Sequence, residues 1–405
     1  MKLNNTIYRV VLIFFLIFIS ILFLEFLLKI IKQKNNAELP GHHTINKINK
    51  INFNKKNNLY YYYISTCNFQ SKVKNNYSKK AEEFKLYPLT NKSKANIISS
   101  SEGEEFSEFL SDRYGFKNND ISWNEKKSNY YFGDSYGMSF HVSNNNSINN
   151  ILIKKKIKIL NLSGGCWGPV DYFIIKKELI NGLKKNIIPK PITLNLLYYT
   201  GNDYYHPILN YPDEIYSKYF LEDNFNQNIF EDDYQKKNNF IMEIAQEEIK
   251  ISRFKFKEIF QYQFNLHRLK EIIKEILSED ITTNFYGEII NDKNKSFNKI
   301  KKYIDLDFQM ASKICYDYDC KVNVFILPEY KDFYYKGPKK RPGFYFEEYL
   351  KNLSKDYNFK YISIYDEFNK RKDIEITKIF PNQKVGHYSV NGYYHLSNII
   401  FENLK

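Results

Sequence analysis

Four places along the chain hold the groups that acyl transfer requires. The aromatic run Tyr130-Tyr131-Phe132 breaks off into Gly133-Asp134-Ser135-Tyr136-Gly137. An apolar strand that ends in Gly-Asp-Ser and turns into a helix sets a serine hydroxyl at a helix N-terminus, where free N–H groups favour developing negative charge. The plain alternative is a βα turn with Asp134 or Ser135 as N-cap. Further on, Ser163-Gly164-Gly165-Cys166-Trp167-Gly168-Pro169 is glycine-rich, so its backbone N–H groups can approach a substrate oxygen. Thr200-Gly201-Asn202-Asp203 brings a side-chain amide able to donate to that same oxygen, and Gly386-His387-Tyr388-Ser389 brings an imidazole base. Nucleophile, oxyanion donors and proton shuttle are the parts of an acyl-transfer site. Asp366, at the end of a strand-like run, is a carboxylate available to orient the imidazole. His141, His206 and His395 lack such surroundings and read as structural, and Asp203 reads as bonding its own loop. Cys166 has no histidine beside it in sequence and is set aside as a nucleophile in favour of Ser135.

Positioning these groups falls to five apolar, β-branched or aromatic runs, at about 129–133, 157–162, 192–199, 321–327 and 360–365. Mixed or amphipathic stretches long enough for crossover helices lie between them. Near-continuous apolar strands joined by helices imply a parallel sheet covered on both faces, with ligands bound at the carboxyl ends of the strands. Ser135, the glycine-rich loop and Asn202 each follow one of the first three runs, and His387 follows the last. The gap from about 204 to 320 exceeds one crossover, and its 204–310 part contains a helical pattern from Phe240 to Leu277. It is expected to be an inserted helical subdomain, either extra core or a lid. Leu59–Ile64 and Phe84–Leu86 suggest short strands or extended covering segments.

Residues 10–28 are apolar except for Ser20 and Glu25, about the length needed to span a bilayer, and no Ala-x-Ala cleavage site follows. The expected order is a short cytoplasmic tail at 1–9, a transmembrane signal anchor at 10–31, a tether and covering segment at 32–110, and a catalytic domain at 111–405 outside the cytoplasm. The net charge of +14 comes from 60 Lys and Arg against 46 Asp and Glu, spread along the chain without a compact basic stripe. Nucleic acid is therefore not an expected partner. The four cysteines show no metal spacing, and neither a metal nor a cofactor is expected. Cys315 and Cys320 would suit a disulfide outside the cytoplasm, but their expected places on a helix end and a strand start weigh against it.

The ordered set resembles the SGNH/GDSL hydrolase superfamily, in a membrane-anchored, bacterial-type form. The resemblance runs from about Asp112 to Asn403 and is carried by Phe132-Gly-Asp-Ser-Tyr-Gly-Met, Asn161-Leu to Gly168-Pro169, Gly201-Asn202-Asp203 and His387-Tyr-Ser-Val-Asn-Gly392-Tyr. It implies an α/β fold, a three-layer α/β/α sandwich with a five-stranded parallel sheet of flavodoxin-like kind. It also implies Ser135 as nucleophile, His387 as general base, and an oxyanion hole from the Ser135 N–H, the N–H of Gly165 or Cys166, and the Asn202 amide. Two departures stand out. The second block's usual glycine falls on Cys166, and the aspartate that normally precedes the histidine by two or three residues is replaced by Val385 and Lys384. A Ser135/His387 dyad, its ring held by a backbone carbonyl as in some members of the superfamily, is one outcome; Asp366 as orienting acid is another. The implied activity is that of a serine esterase on acyl esters, chiefly O-acetyl, of a cell-envelope glycan or lipid. An O-acyltransferase on the same site, or a non-catalytic glycan-binding protein that kept the fold, are the alternatives.

Overall fold

Tyr130, Tyr131 and Phe132 are completely shielded from water, the condition of a strand packed on both faces. They form the middle of β4 (Lys127–Gly133) in a computed structural model that describes residues 20, 60–64, 76–99, 107–203, 214–252, 282–334, 341, 343–380 and 386–404. The chain divides into two units. Residues 40–248 and 292–405 make the larger one, described below; of the smaller, 1–39 and 249–291, the described parts are Ser20 and helical residues 249–252 and 282–291.

The larger unit is an α/β structure built on five strands: β4, β5 (Ile159–Asn161), β6 (Lys190–Tyr199), β7 (Lys321–Leu327) and β8 (Lys360–Ser363). They lie in the order β5-β4-β6-β7-β8, and every pairing is parallel. All five coincide with the apolar runs in the sequence, except that Ile364 and Tyr365 already begin the helix Ile364–Lys370. Because β5 lies on one side of β4 and β6 on the other, the connections diverge at β4, which makes the carboxyl ends of β4 and β6 the switch point where parallel sheets of this kind bind ligands. Ser135 follows the first of these strands and Asn202 the second.

Successive side chains along each strand point to opposite faces. Tyr131, Leu197, Tyr199, Phe325 and Leu327 pack on one face with Leu152, Phe368 and Leu396 from the helices Ile148–Lys154, Ile364–Lys370 and Val390–Asn403. On the other face Lys176, from the helix Pro169–Lys184, lies over the Phe132 ring, and Tyr198 meets Phe308 and Phe346. Those two phenylalanines come from the helices Thr282–Tyr318 and Phe344–Asp356. Lys176 is fully buried and reaches the equally buried Asp307 at 2.7 Å, while the Tyr198 hydroxyl donates to the other Asp307 oxygen at 2.7 Å.

The stretch between β6 and β7 contains the helices Glu214–Leu221, Asp232–Ser252 and Thr282–Tyr318. Ile300, Ile304, Phe308, Ala311 and Ile314 of the last helix are buried at spacings of three and four, so its C-terminal part is the crossover that covers the sheet. The expected insertion boundary at 310 falls inside it, and 253–281 lie outside the described residues.

Several expectations are corrected. Phe84–Leu86 is no strand: the helix Asn76–Glu83 ends there with Lys85 in a left-handed conformation, φ 50°. The covering segment instead forms a three-stranded sheet of β1 (Tyr60–Tyr62), β2 (Asn96–Ile98) and β3 (Glu108–Leu110). Cys315 and Cys320 are joined by a disulfide. The helix carrying Cys315 ends at Tyr318, and Asp319, with φ 52°, turns the chain so that the Cys320 N–H bonds the Cys315 carbonyl at 3.1 Å. The apolar stretch 10–28 lies, apart from Ser20, outside the described residues; among those described, no helix is long and apolar enough to cross a membrane.

Candidate active site

The chain leaves β4 at Gly133 and closes a series of turns rather than the helix suggested by its sequence. The Met138 N–H bonds the Asp134 carbonyl at 2.9 Å and the Phe140 N–H bonds the Ser135 carbonyl at 3.0 Å, but Ser139 is left-handed, φ 56°, and the next α-helix starts only at Ile148. Ser135 therefore sits on a tight turn and not at a helix N-terminus. Gly137 is required for the tightness: a Cβ there would fall 2.7 Å from Ser163 Oγ and 3.0 Å from Gly133 Cα. Asn161 fastens the turn to β5, its amide donating to the Gly137 carbonyl at 2.7 Å and its oxygen accepting the Ser163 N–H at 2.9 Å. Gly164 N–H bonds the Gly133 carbonyl at 3.2 Å, bringing the glycine-rich loop against the serine turn.

His387 reaches this turn from the segment before the C-terminal helix. Its Nε2 lies 2.7 Å from Ser135 Oγ. The Tyr136 ring stacks on the imidazole at 4.4 Å and 25°, and its hydroxyl donates to the Gly386 carbonyl at 2.5 Å and shares a hydrogen bond with the Tyr199 hydroxyl at 2.6 Å. His141 also meets the imidazole, with ring centroids 4.2 Å apart. The sequence suggested no more than a structural place for His141; the turns after Ser135 bring it to the candidate base. His395 lies on the C-terminal helix beside Tyr394, where burial lowers its pKa, and His206 is outside the described residues.

The other expected groups divide. Among the described residues the Ser135 N–H enters no hydrogen bond. The Asn202 side chain approaches the Asp134 carboxyl, whose Oδ1 accepts the Tyr136 N–H at 2.8 Å. Burial pushes Asp134 up to about 6, against the opposing pull of His387, the Tyr136 and Gly137 N–H groups and Asn202. Asp203 bonds its own loop as expected, accepting the Tyr199 N–H at 2.7 Å and the Tyr172 hydroxyl at 3.0 Å. Burial, with the Asp134 charge adding to it, raises Asp203 far above the carboxylate range.

Three assignments change. The Gly165 N–H is not an open oxyanion donor, because it donates to the Tyr63 hydroxyl at 2.7 Å. Cys166 takes a left-handed conformation, φ 64°, and its sulfur is in a disulfide, which removes it as a nucleophile. Asp366 is exposed in the first turn of the helix after β8, with its N–H capped by Ser363 Oγ at 3.3 Å, and it makes no bond to His387. Val385 and Lys384 lie outside the described residues. Among the described residues no cluster of His, Cys, Asp and Glu has the arrangement of a metal site.

A serine hydroxyl 2.7 Å from an imidazole nitrogen is the arrangement that proton transfer coupled to nucleophilic attack requires. No family model matches the chain, and no curated protein matches it.

Proposed function

We propose that this chain is a serine esterase that cleaves acyl esters, chiefly O-acetyl, of a cell-envelope glycan or lipid through an acyl-serine intermediate. The observation that carries this reading is the 2.7 Å approach of His387 Nε2 to Ser135 Oγ at the carboxyl ends of β4 and β6. The order of the Ser135, Gly165, Asn202 and His387 blocks, and the resemblance to SGNH/GDSL hydrolases, support it. The disulfides at Cys166 and at Cys315–Cys320 suit a domain held in an oxidising compartment outside the cytoplasm. An apolar stretch at 10–28, of spanning length, would keep that domain at a membrane and near a bulky surface substrate.

In the proposed cycle Oγ adds to the acyl carbon, its proton passes to His387 Nε2, and the carbonyl π pair moves onto oxygen. The alkoxy C–O bond then breaks, and the imidazolium returns the proton to the leaving oxygen. Water regenerates the serine. A sugar hydroxyl in place of that water would make the same site an acyltransferase. Incubation with a short-chain aryl acetate, with and without an oligosaccharide acceptor, separates the two. Free acetate that is independent of acceptor is the expected result. Acetylated acceptor as the main product would establish transfer, and neither product, on any acyl ester tried, would favour a binding protein.

A further inference from the structure

The Gly165 N–H is covered by a residue far from the recognised blocks. Tyr63 follows β1, and its backbone N–H extends the pairing with β2 by bonding the Ile98 carbonyl at 3.0 Å. Asn91 clamps the next residue from both sides: its oxygen accepts the Ile64 N–H at 2.9 Å and its amide donates to the Ile64 carbonyl at 3.1 Å. The Tyr63 ring is buried edge-on against Phe140 at 4.8 Å, and Phe140 in turn lies 6.3 Å from the His387 ring. The phenol is thus fixed in direction and placed on the loop that abuts the Ser135 turn.

The phenol oxygen accepts the Gly165 N–H at 2.7 Å, and the Asn91 side chain approaches it as well. Because the oxygen serves as acceptor toward Gly165, the phenol keeps its own hydrogen for donation, and it holds that hydrogen beside the glycine-rich loop. Burial pushes Tyr63 up to about 12, so it keeps that hydrogen at any pH where an ester enzyme works.

We infer that the Tyr63 hydroxyl is an oxyanion donor, standing where the Gly165 N–H would otherwise act, with the Gly165 N–H polarising the phenol from behind. This rests on the esterase reading above. When Ser135 Oγ bonds to the acyl carbon and the π pair moves to oxygen, Tyr63 O–H donates a hydrogen bond to that oxygen without giving up its proton. The Ser135 proton resides on His387 while the oxyanion lasts. The Gly165 N–H and the phenol O–H form a short chain in which each bond strengthens the next. Tyr63 is in this sense a catalytic residue contributed by the covering segment, so the small sheet completes the site.

The test is Tyr63→Phe in the full chain, which keeps the ring against Phe140 and removes the hydroxyl. Loss of one oxyanion donor should lower kcat for an aryl acetate by about a hundredfold or more while leaving KM nearly unchanged. Affinity for an alkyl boronic acid, which mimics the tetrahedral state on Ser135, should fall in parallel, with the thermal unfolding midpoint close to that of the parent. Tyr63→His, which keeps a ring N–H donor, should recover part of the loss; a loss in Tyr63→Phe that comes with a lowered unfolding midpoint and is not recovered in Tyr63→His would assign Tyr63 a packing role and overturn the inference. Unchanged kcat in Tyr63→Phe would also overturn it. A rise would show that the phenol obstructs the Gly165 N–H instead of relaying it. A parent chain that neither turns over esters nor is labelled at Ser135 by a fluorophosphonate would overturn the esterase reading and this inference together, whereas labelling of parent and Tyr63→Phe at equal rates would overturn the inference alone.

Discussion

His387 Nε2 and Ser135 Oγ are 252 positions apart in the chain and 2.7 Å apart in space. Tyr136, the neighbour of the serine, supports the contact from below, stacking on the imidazole and bonding the carbonyl of Gly386, the residue before it. The serine turn therefore carries both the proposed nucleophile and a brace for the imidazole beside it.

If His387 removes the Ser135 proton, His387→Ala should cost on the order of a thousandfold or more in kcat. Tyr136→Phe keeps the stacked ring but releases Gly386 and the Tyr199 hydroxyl. It should lower kcat by roughly tenfold, because a looser base spends less time in the attacking geometry. Asp366→Asn should change kcat by less than about threefold, since the carboxylate is exposed and unconnected to the imidazole. Steady-state kinetics on one aryl ester checks all three; a larger loss in Asp366→Asn than in Tyr136→Phe would reverse the assignment of what holds the ring.

Asp134 gives a pH dependence of defined sign. Its folded pKa of about 6 lies above the ordinary 3.8. Below about pH 4 both folded and unfolded chains are protonated there, and the folded chain alone holds the proton up to about pH 6. This carboxyl's contribution to stability is therefore fully present at the acid end and is lost as pH rises through about 6. The same ionisation places a negative charge near His387. Activity should rise through about pH 6 while urea-unfolding stability falls between about pH 4 and 6. Asp134→Asn should flatten both changes, and a variant that retains both slopes would show that another group titrates.

The five central strands are legible in the sequence because full burial on both faces leaves continuous runs such as Tyr130–Phe132 and Val322–Leu327. Ser135, Asn202 and His387 are legible because the strand ends of a parallel sheet are where its ligands bind. Tyr63 is not: it belongs to a tyrosine run in a chain of 36 tyrosines, and only three-residue strands, too short for a periodic pattern, bring it to Gly165. Nor does the sequence disclose that turns replace a helix after Ser135. That follows from the left-handed Ser139 and from the contact of Gly137 with Ser163, which depends on β5 lying beside β4. His141 reaches His387 for the same reason.

The buried Lys176–Asp307 pair ties the helix after the glycine-rich loop to the crossover helix before β7. Lys176→Met should destabilise the domain by about 3–5 kcal/mol, because it strands a buried carboxylate. Combining it with Asp307→Leu should restore most of that loss, although the Tyr198 hydroxyl then lacks its acceptor. Urea denaturation of Lys176→Met, Asp307→Leu and the double variant measures the coupling. A single variant as stable as the parent would contradict this, showing that the buried pair contributes no net stability.

The most direct measurement is covalent labelling of the full chain with a fluorophosphonate, read by intact mass and by peptide mapping. A Ser135–His387 acyl-transfer pair predicts one adduct, on the peptide containing Ser135, abolished in Ser135→Ala and slowed on the order of a thousandfold in His387→Ala. Labelling that persists in Ser135→Ala, or a parent chain that takes no label while its thermal unfolding is cooperative, would contradict the assignment of Ser135 as the nucleophile.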